Sequence, residues 1–255
     1  MTRRSPSLRS AAGGHWLYGL HAVRAALANP MRKRHRAVLT KNAMAAIGQS
    51  LLDTVRHELA ASESVARLVP AGAVHQGVAL LCEALPNRAL EAVLDEASGG
   101  PRVLVVLDQI SDPHNVGAIL RSAAVFGASG VIVQDRHGPA ESGVLAKAAS
   151  GALDLIPYIH VVNISRALQQ LARLGFWRLA LSGDGEQPLA TAVPDGDTAI
   201  VLGSEGAGIR RLVREHCDVA AFIPAKGAIQ SLNVSNAAAI ALYAWRSGAR
   251  GSGRN

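Results

Sequence analysis

The sequence predicts an α/β protein in two parts, a small α/β front domain and a larger α/β domain built on a mainly parallel sheet. Three observations carry that expectation. Beyond residue 102, short β-branched runs alternate with helical stretches, the pattern of parallel strands buried on both faces. A segment at 86–101, containing Asn87, Asp95, Ser98, Gly99, Gly100 and Pro101, separates this region from a shorter α/β stretch before it. With 255 residues, 49% of them hydrophobic and 18% charged, the chain has enough apolar surface for a sizeable core.

In chain order, residues 1–14 place Arg3, Arg4 and Arg9 among Ser and Gly without the apolar run of a secretory signal or membrane helix. They read as a flexible basic tail on a cytoplasmic protein that does not meet a membrane. Residues 18–29 carry apolar side chains at Leu20, Val23 and Leu27 with Pro30 just beyond, the signature of a short amphipathic helix. Apolar patterning then predicts a strand at 37–40, a helix at 43–59 and strands at 65–69 and 78–82. The front domain is thus expected at 15–85, a linker at 86–101, the second domain at 102–248 and a tail at 249–255. Strands of the second domain are expected at 103–107, 131–133, 153–156, 177–181, 199–202 and 219–223.

The net charge of +7 is unevenly spread: nine of the 26 Lys and Arg residues fall in 1–41, where there is no Asp or Glu. All 19 acidic residues lie beyond. A cationic front end of this kind suits a polyanion, because each cation placed on a phosphate releases condensed counterions. The densest run is Arg32, Lys33, Arg34 and Arg36, which are expected to contact RNA; the bland alternative is a solvated charge run. Cys82 and Cys217 stand far apart without a nearby His/Cys cluster, so neither a disulfide framework nor a metal site is expected.

Three segments of the second domain follow predicted strands, where open α/β sheets bind ligands. The first runs from Asp108 through Asp112-Pro113-His114-Asn115 to Arg121; Asn115 reads as a helix cap, with Arg121 less than two turns later. The second is Gly203-Ser204-Glu205-Gly206-Ala207-Gly208. Glu205 occupies the position where a dinucleotide fingerprint needs Gly, and no Lys-Ser/Thr ending marks a phosphate loop. An acidic residue in that turn repels phosphate and favours a ligand with ribose hydroxyls and positive charge. The third is Ile223-Pro224 followed by Ser231-Leu232-Asn233-Val234-Ser235-Asn236 before an Ala-rich helix at 237–245. One Ser or Asn suffices for a cap, and four suggest a lined site. The glycosylation pattern at Asn233 is set aside for a cytoplasmic chain.

In this order and on these elements, the three segments resemble the motifs of the SpoU/TrmH class of SPOUT RNA 2'-O-methyltransferases. Tyr18-Gly19-Leu20-His21-Ala22-Val23 and His75-Gln76-Gly77-Val78 extend the resemblance to the substrate-binding domain of bacterial 23S rRNA guanosine enzymes. The resemblance implies an L30e-like front domain and a trefoil-knot domain, the knot lying within 199–245. It implies S-adenosyl-L-methionine as cofactor, held by backbone groups of Gly203, Ile223 and Leu232, and a catalytic set of Arg121, Asn115, Glu205, Ser231 and Asn233. Arg121 is then either the base or the stabiliser of the developing alkoxide. It also implies 23S rRNA as substrate and a homodimer with a shared site. The competing readings are a tRNA guanosine 2'-O-methyltransferase, a resistance-conferring methyltransferase, and an RNA-binding ribosome-assembly protein without catalysis.

Overall fold

The computed structural model describes residues 14–97, 99–227 and 231–248. Arg3, Arg4, Arg9 and, apart from Gly14, the two expected tails lie outside them. Contacts divide the chain into two units: residues up to 86 together with 140–155, and 87–139 together with 156 onward. The first part contains β1 (His15–Tyr18), α1 (Leu20–Ala28), β2 (Arg34–Leu39), α2 (Lys41–Ile47), α3 (Gln49–Leu52), β3 (His57–Leu59), α4 (Ser62–Ala66) and β4 (Val78–Cys82). There follow α5 (Leu90–Glu96), β5 (Val103–Asp108), α6 (Pro113–Phe126), β6 (Gly130–Gln134), α7 (Gly143–Ala148), a 3-10 turn (Ala152–Asp154), β7 (Tyr158–Val161) and α8 (Ile164–Arg173). The chain continues with β8 (Trp177–Leu181), β9 (Gln187–Pro188), α9 (Leu189–Ala192), β10 (Thr198–Gly203), α10 (Arg211–Arg214), β11 (Val219–Phe222) and α11 (Val234–Gly248).

The first unit is a four-stranded sheet in the order β1-β4-β2-β3, antiparallel except for β2 with β3. Its core includes Leu17, Val38, Leu39, Val78, Leu80 and Cys82, all buried. Three expectations are corrected here. The helix expected at 43–59 stops at Gly48, whose φ of 92° a side-chain-bearing residue adopts only with strain, and its last residues form β3 instead. The strand expected at 65–69 is the helical turn α4: Val65 and Val69, four apart, are both buried, and Glu63 sits favourably at the helix start. The strand expected at 153–156 is the 3-10 turn Ala152–Asp154, and the strand forms later, at Tyr158–Val161.

That turn is held by charge. Arg32 is only 2% exposed; its Nε donates to Asp154 Oδ1 at 2.9 Å, and its Nη1 reaches Glu141 and the carbonyl of Glu83. Asn29 Nδ2 also donates to Asp154, at 3.1 Å, and the Leu85 amide to Glu141, at 3.0 Å. Burial pushes the Asp154 carboxyl above its ordinary range. For Glu141, burial pulls the same way but is outweighed by His15, Arg32 and the Leu85 amide, which together hold it low. The buried Cys82 thiol beside them is pushed up to about 12 by burial, so it is neutral and inert.

The second unit has seven strands in the order β7-β6-β5-β10-β8-β11-β9, every neighbouring pair parallel. All six residues of β5 are buried, as a central strand covered on both faces requires. One face packs Leu104, Val106, Ile132, Ala199 and Val201 against Leu90 and Val93 of α5 and Ile164, Leu168 and Leu171 of α8. Helix α11 packs on α6 and β10, with Val234, Ala238, Ala241, Leu242 and Trp245 buried along one side.

Arg32 is buried against two carboxylates, so removing either one leaves part of its guanidinium without an acceptor in a buried site, and removing both strands its charge. Asp154→Ala and Glu141→Ala are each expected to lower unfolding free energy by about 1–3 kcal/mol, and the double variant, which leaves the cation uncompensated, by about 3–5 kcal/mol. Urea denaturation of the three variants checks this; losses below about 1 kcal/mol, the range of surface pairs, would contradict it.

Candidate active site

Parallel register brings the second and third segments to one level. Leu202 of β10 is aligned with Leu181 of β8, and Leu181 with Ala221 of β11. Gly203 and Ile223 therefore leave the sheet at the same carboxyl edge, separated by the width of β8, roughly 10 Å at the usual strand spacing. Gly203 has no alternative: a Cβ there would lie 2.1 Å from the Gly208 carbonyl carbon, because the loop returns through a bridge between Ser204 and Gly208.

The loop carries Glu205 to the start of two helices. Asn115 Nδ2 donates to Glu205 Oε1 at 3.2 Å, and Asn233 Nδ2 donates to the same oxygen at 2.9 Å and to Asn115 Oδ1 at 3.0 Å. Each of the three segments thus supplies one member of a closed polar set. Asn233 also caps α11: its Oδ1 accepts from the Ser235 amide at 2.9 Å and from the Ser235 hydroxyl at 2.6 Å. Asn115 is not the cap of α6, contrary to expectation. Asp112 accepts from the His114 amide and Pro113 takes the first helical position, which leaves the Asn115 amide free to face Glu205.

Arg121 is exposed on α6, and among the described residues it forms no ion pair or hydrogen bond, so this chain does not join it to the polar set. Ser231 is exposed before α11. Leu232 is 48% exposed, an apolar side chain left at the edge of a polar site. Among the described residues no group of His, Cys, Asp and Glu could hold a metal ion.

Sequence reasoning missed one network. Asp108, at the end of β5, is fully buried and accepts from the backbone amide and guanidinium of Arg210. The signal was present in an aspartate closing an otherwise apolar strand. In the first unit, Arg32 is removed from the RNA-contact set because its charge is buried and paired. Lys33 remains 70% exposed beside Glu83, Arg34 donates to the Leu27 carbonyl, and Arg36 lies over the Trp16 ring at 5.4 Å.

The sequence model of the SpoU rRNA Methylase family matches residues 102–243, more than half of the chain. The chain belongs to the SpoU rRNA methylase family. A second family model, described as RNA 2'-O ribose methyltransferase substrate binding, matches residues 16–88. Among curated SpoU relatives, the 23S rRNA (guanosine-2'-O-)-methyltransferase RlmB of Xylella fastidiosa (strain Temecula1) is 38% identical, over 89% of this chain and 94% of its own. RlmB of Ralstonia nicotianae is 37% identical, over 89% and 93%. Among solved structures, the SpoU methyltransferase AviRb from Streptomyces viridochromogenes, crystallised with AdoMet, superposes with a TM-score of 0.80 at 22% identity, covering 98% of this chain and 96% of its own. Residues 102–243 thus carry the SpoU/SPOUT methyltransferase fold of the family, and residues 16–88 the accompanying substrate-binding domain; the stretch 140–155, which packs with the first unit, lies within the methylase match.

Asn233 serves both the polar set and the cap of α11. Asn233→Ser should keep the cap, since a Ser hydroxyl serves as well at that position, and is too short to donate to Glu205. Turnover is expected to fall on the order of a hundredfold with stability changed by less than about 1 kcal/mol. Paired methyl-transfer and thermal-unfolding measurements check this; a fall in stability that accounts for the lost activity would contradict it.

Proposed function

We propose that this chain is an S-adenosyl-L-methionine-dependent RNA methyltransferase acting on the ribose 2'-hydroxyl of a guanosine in 23S rRNA, in the cytoplasm. The observation that carries this reading is the meeting of Asn115, Glu205 and Asn233 from three separate segments at the carboxyl edge of the sheet. The names of the relatives support the reaction and the substrate. No helix among the described residues is long and apolar enough to cross a membrane.

The residues suit a nucleoside cofactor. Gly203 lets the backbone turn back at close range, Ile223 emerges at the same level two strands away, and exposed Leu232 offers an apolar face. Backbone groups of Gly203, Ile223 and Leu232 would hold S-adenosyl-L-methionine, which when bound supplies the methyl group on a positively charged sulfur. Glu205, held by two amides, orients toward ribose hydroxyls, and Asn115, Asn233 and Ser231 complete the polar lining. A guanidinium stays protonated in proteins, so Arg121 acts by stabilising the alkoxide that develops as the 2'-hydroxyl gives up its proton to solvent water. RNA is anchored by the first unit, with Lys33, Arg34 and Arg36 as its basic contacts.

We also propose a homodimer through α6 and α11. Val125 and Tyr243 are 73% and 62% exposed, Ile240 is exposed beside them, and the Phe126 ring stands edge-on to Tyr243 at 6.2 Å. Arg121 lies one helical turn before Val125, so in such a dimer it stands at the edge of the partner's surface, which accounts for its making no ion pair or hydrogen bond among the described residues.

Arg121→Ala is expected to abolish methyl transfer while S-adenosylhomocysteine still binds, measured by calorimetry, because an exposed arginine contributes little to stability. Labelled-methyl assays offering 23S rRNA, 16S rRNA and tRNA together should label 23S rRNA; label in tRNA alone would refute the substrate. Light scattering at micromolar concentration should give twice the mass of the 26.5 kDa chain, and an active monomer would refute the shared site.

A further inference from the structure

We infer that Arg210 is a positioning residue for methyl transfer, acting through the buried carboxylate of Asp108 to set where Glu205 meets Asn115. This rests on the reading of Glu205 as part of the reaction site. Asp108 is 0% exposed, a place where an unmatched carboxylate is costly. Arg210 matches it three times: its amide donates to Oδ2 at 2.9 Å, and Nε and Nη2 donate to Oδ1 at 2.8 and 2.6 Å. The same Nη2 donates to Gln134 Oε1 of β6 at 3.0 Å, so the guanidinium joins the ends of two adjacent strands.

The position of this pair in the chain gives it a purpose beyond stability. Gly203 is paired in register with Asp108, and Arg210 follows the loop that begins at Gly203. Both ends of the loop carrying Glu205 are therefore tied to one residue, by strand pairing at the start and by the ion pair at the finish. Asp108 also opens the segment that leads to α6 and Asn115, and its neighbour Gln109 has a φ of 58°, a conformation uncommon outside glycine. One buried carboxylate is thus the common root of two members of the polar set. Those members meet at 3.2 Å, near the outer limit of a useful hydrogen bond, so a small displacement of the loop end breaks the contact. An apolar pair could close β5 at no loss of stability, but it would not fix the loop end in direction.

The test is a double-mutant cycle on the full chain. Arg210→Lys keeps the charge and loses the planar fork. It is combined with Glu205→Gln, and kcat and KM are measured with labelled S-adenosylmethionine and a 23S rRNA transcript, with folding checked by circular dichroism at the assay temperature. Arg210→Lys alone is expected to lower kcat by roughly ten- to a hundredfold while leaving KM for RNA unchanged. The double variant is expected to be no slower than Glu205→Gln alone, because a misplaced Glu205 has no contribution left to lose. Losses that multiply, or a normal kcat in Arg210→Lys, overturn the positioning role and leave the site reading intact. Full turnover in Glu205→Gln removes the site reading and the positioning role with it. If Arg210→Lys does not fold, Gln134→Ala, which removes only the acceptor of Nη2, must show the same non-additivity on a smaller scale.

Discussion

The constraint on which the second unit depends is the parallel pairing of its seven strands. Parallel strands need a crossover between each pair, and the crossovers cover both faces, so every strand of the interior is buried twice over. Their carboxyl ends also fall on one edge. Residues far apart in the chain, Asn115, Glu205 and Asn233, are delivered there without any need for mutual attraction during folding. Hydrogen bonds among them then settle distances that the sheet has already brought into range.

Charge plays two separate roles in this molecule. At Arg32 and at Asp108 it is buried, matched and directional, joining segments that hydrophobic packing alone would leave free to slide. At Lys33, paired with Glu83 at 2.7 Å, at Arg36 and at Arg121 it is exposed, where solvent screens any pairing and little holds the side chain in place. Counting lysines and arginines along the chain does not separate these roles, since Arg32 and Lys33 are neighbours in sequence and opposites in environment.

That difference marks what the sequence made legible. Strands rich in β-branched apolar residues, such as Val103–Asp108 and Thr198–Gly203, were readable because burial on both faces leaves little room for polar residues. The members of the polar set were reached through the resemblance of the three segments taken together, since Asn115 and Asn233 taken singly read as helix caps. Short elements whose form depends on a partner were not readable. The turn at Ala152–Asp154 looks apolar enough for a strand and is decided by Arg32, 122 residues earlier. Asn115 looked like a cap because it precedes an apolar run, and Asp112 with Pro113 displaced it by starting the helix sooner.

The first unit is assembled from two stretches of chain, with residues 87–139 made between them. During synthesis, Arg32 emerges long before Glu141 and Asp154, so this unit cannot reach its final packing when its own four strands are complete. It must wait, with a buried site for a cation not yet neutralised, until the opening strands of the next unit have left the ribosome. The closing contacts are of long sequence separation, which slows their formation and couples the completion of one unit to the growth of the other. A fragment cut at the boundary of the family match, residue 88, would carry the complete sheet and lack both of the carboxylates that seal it.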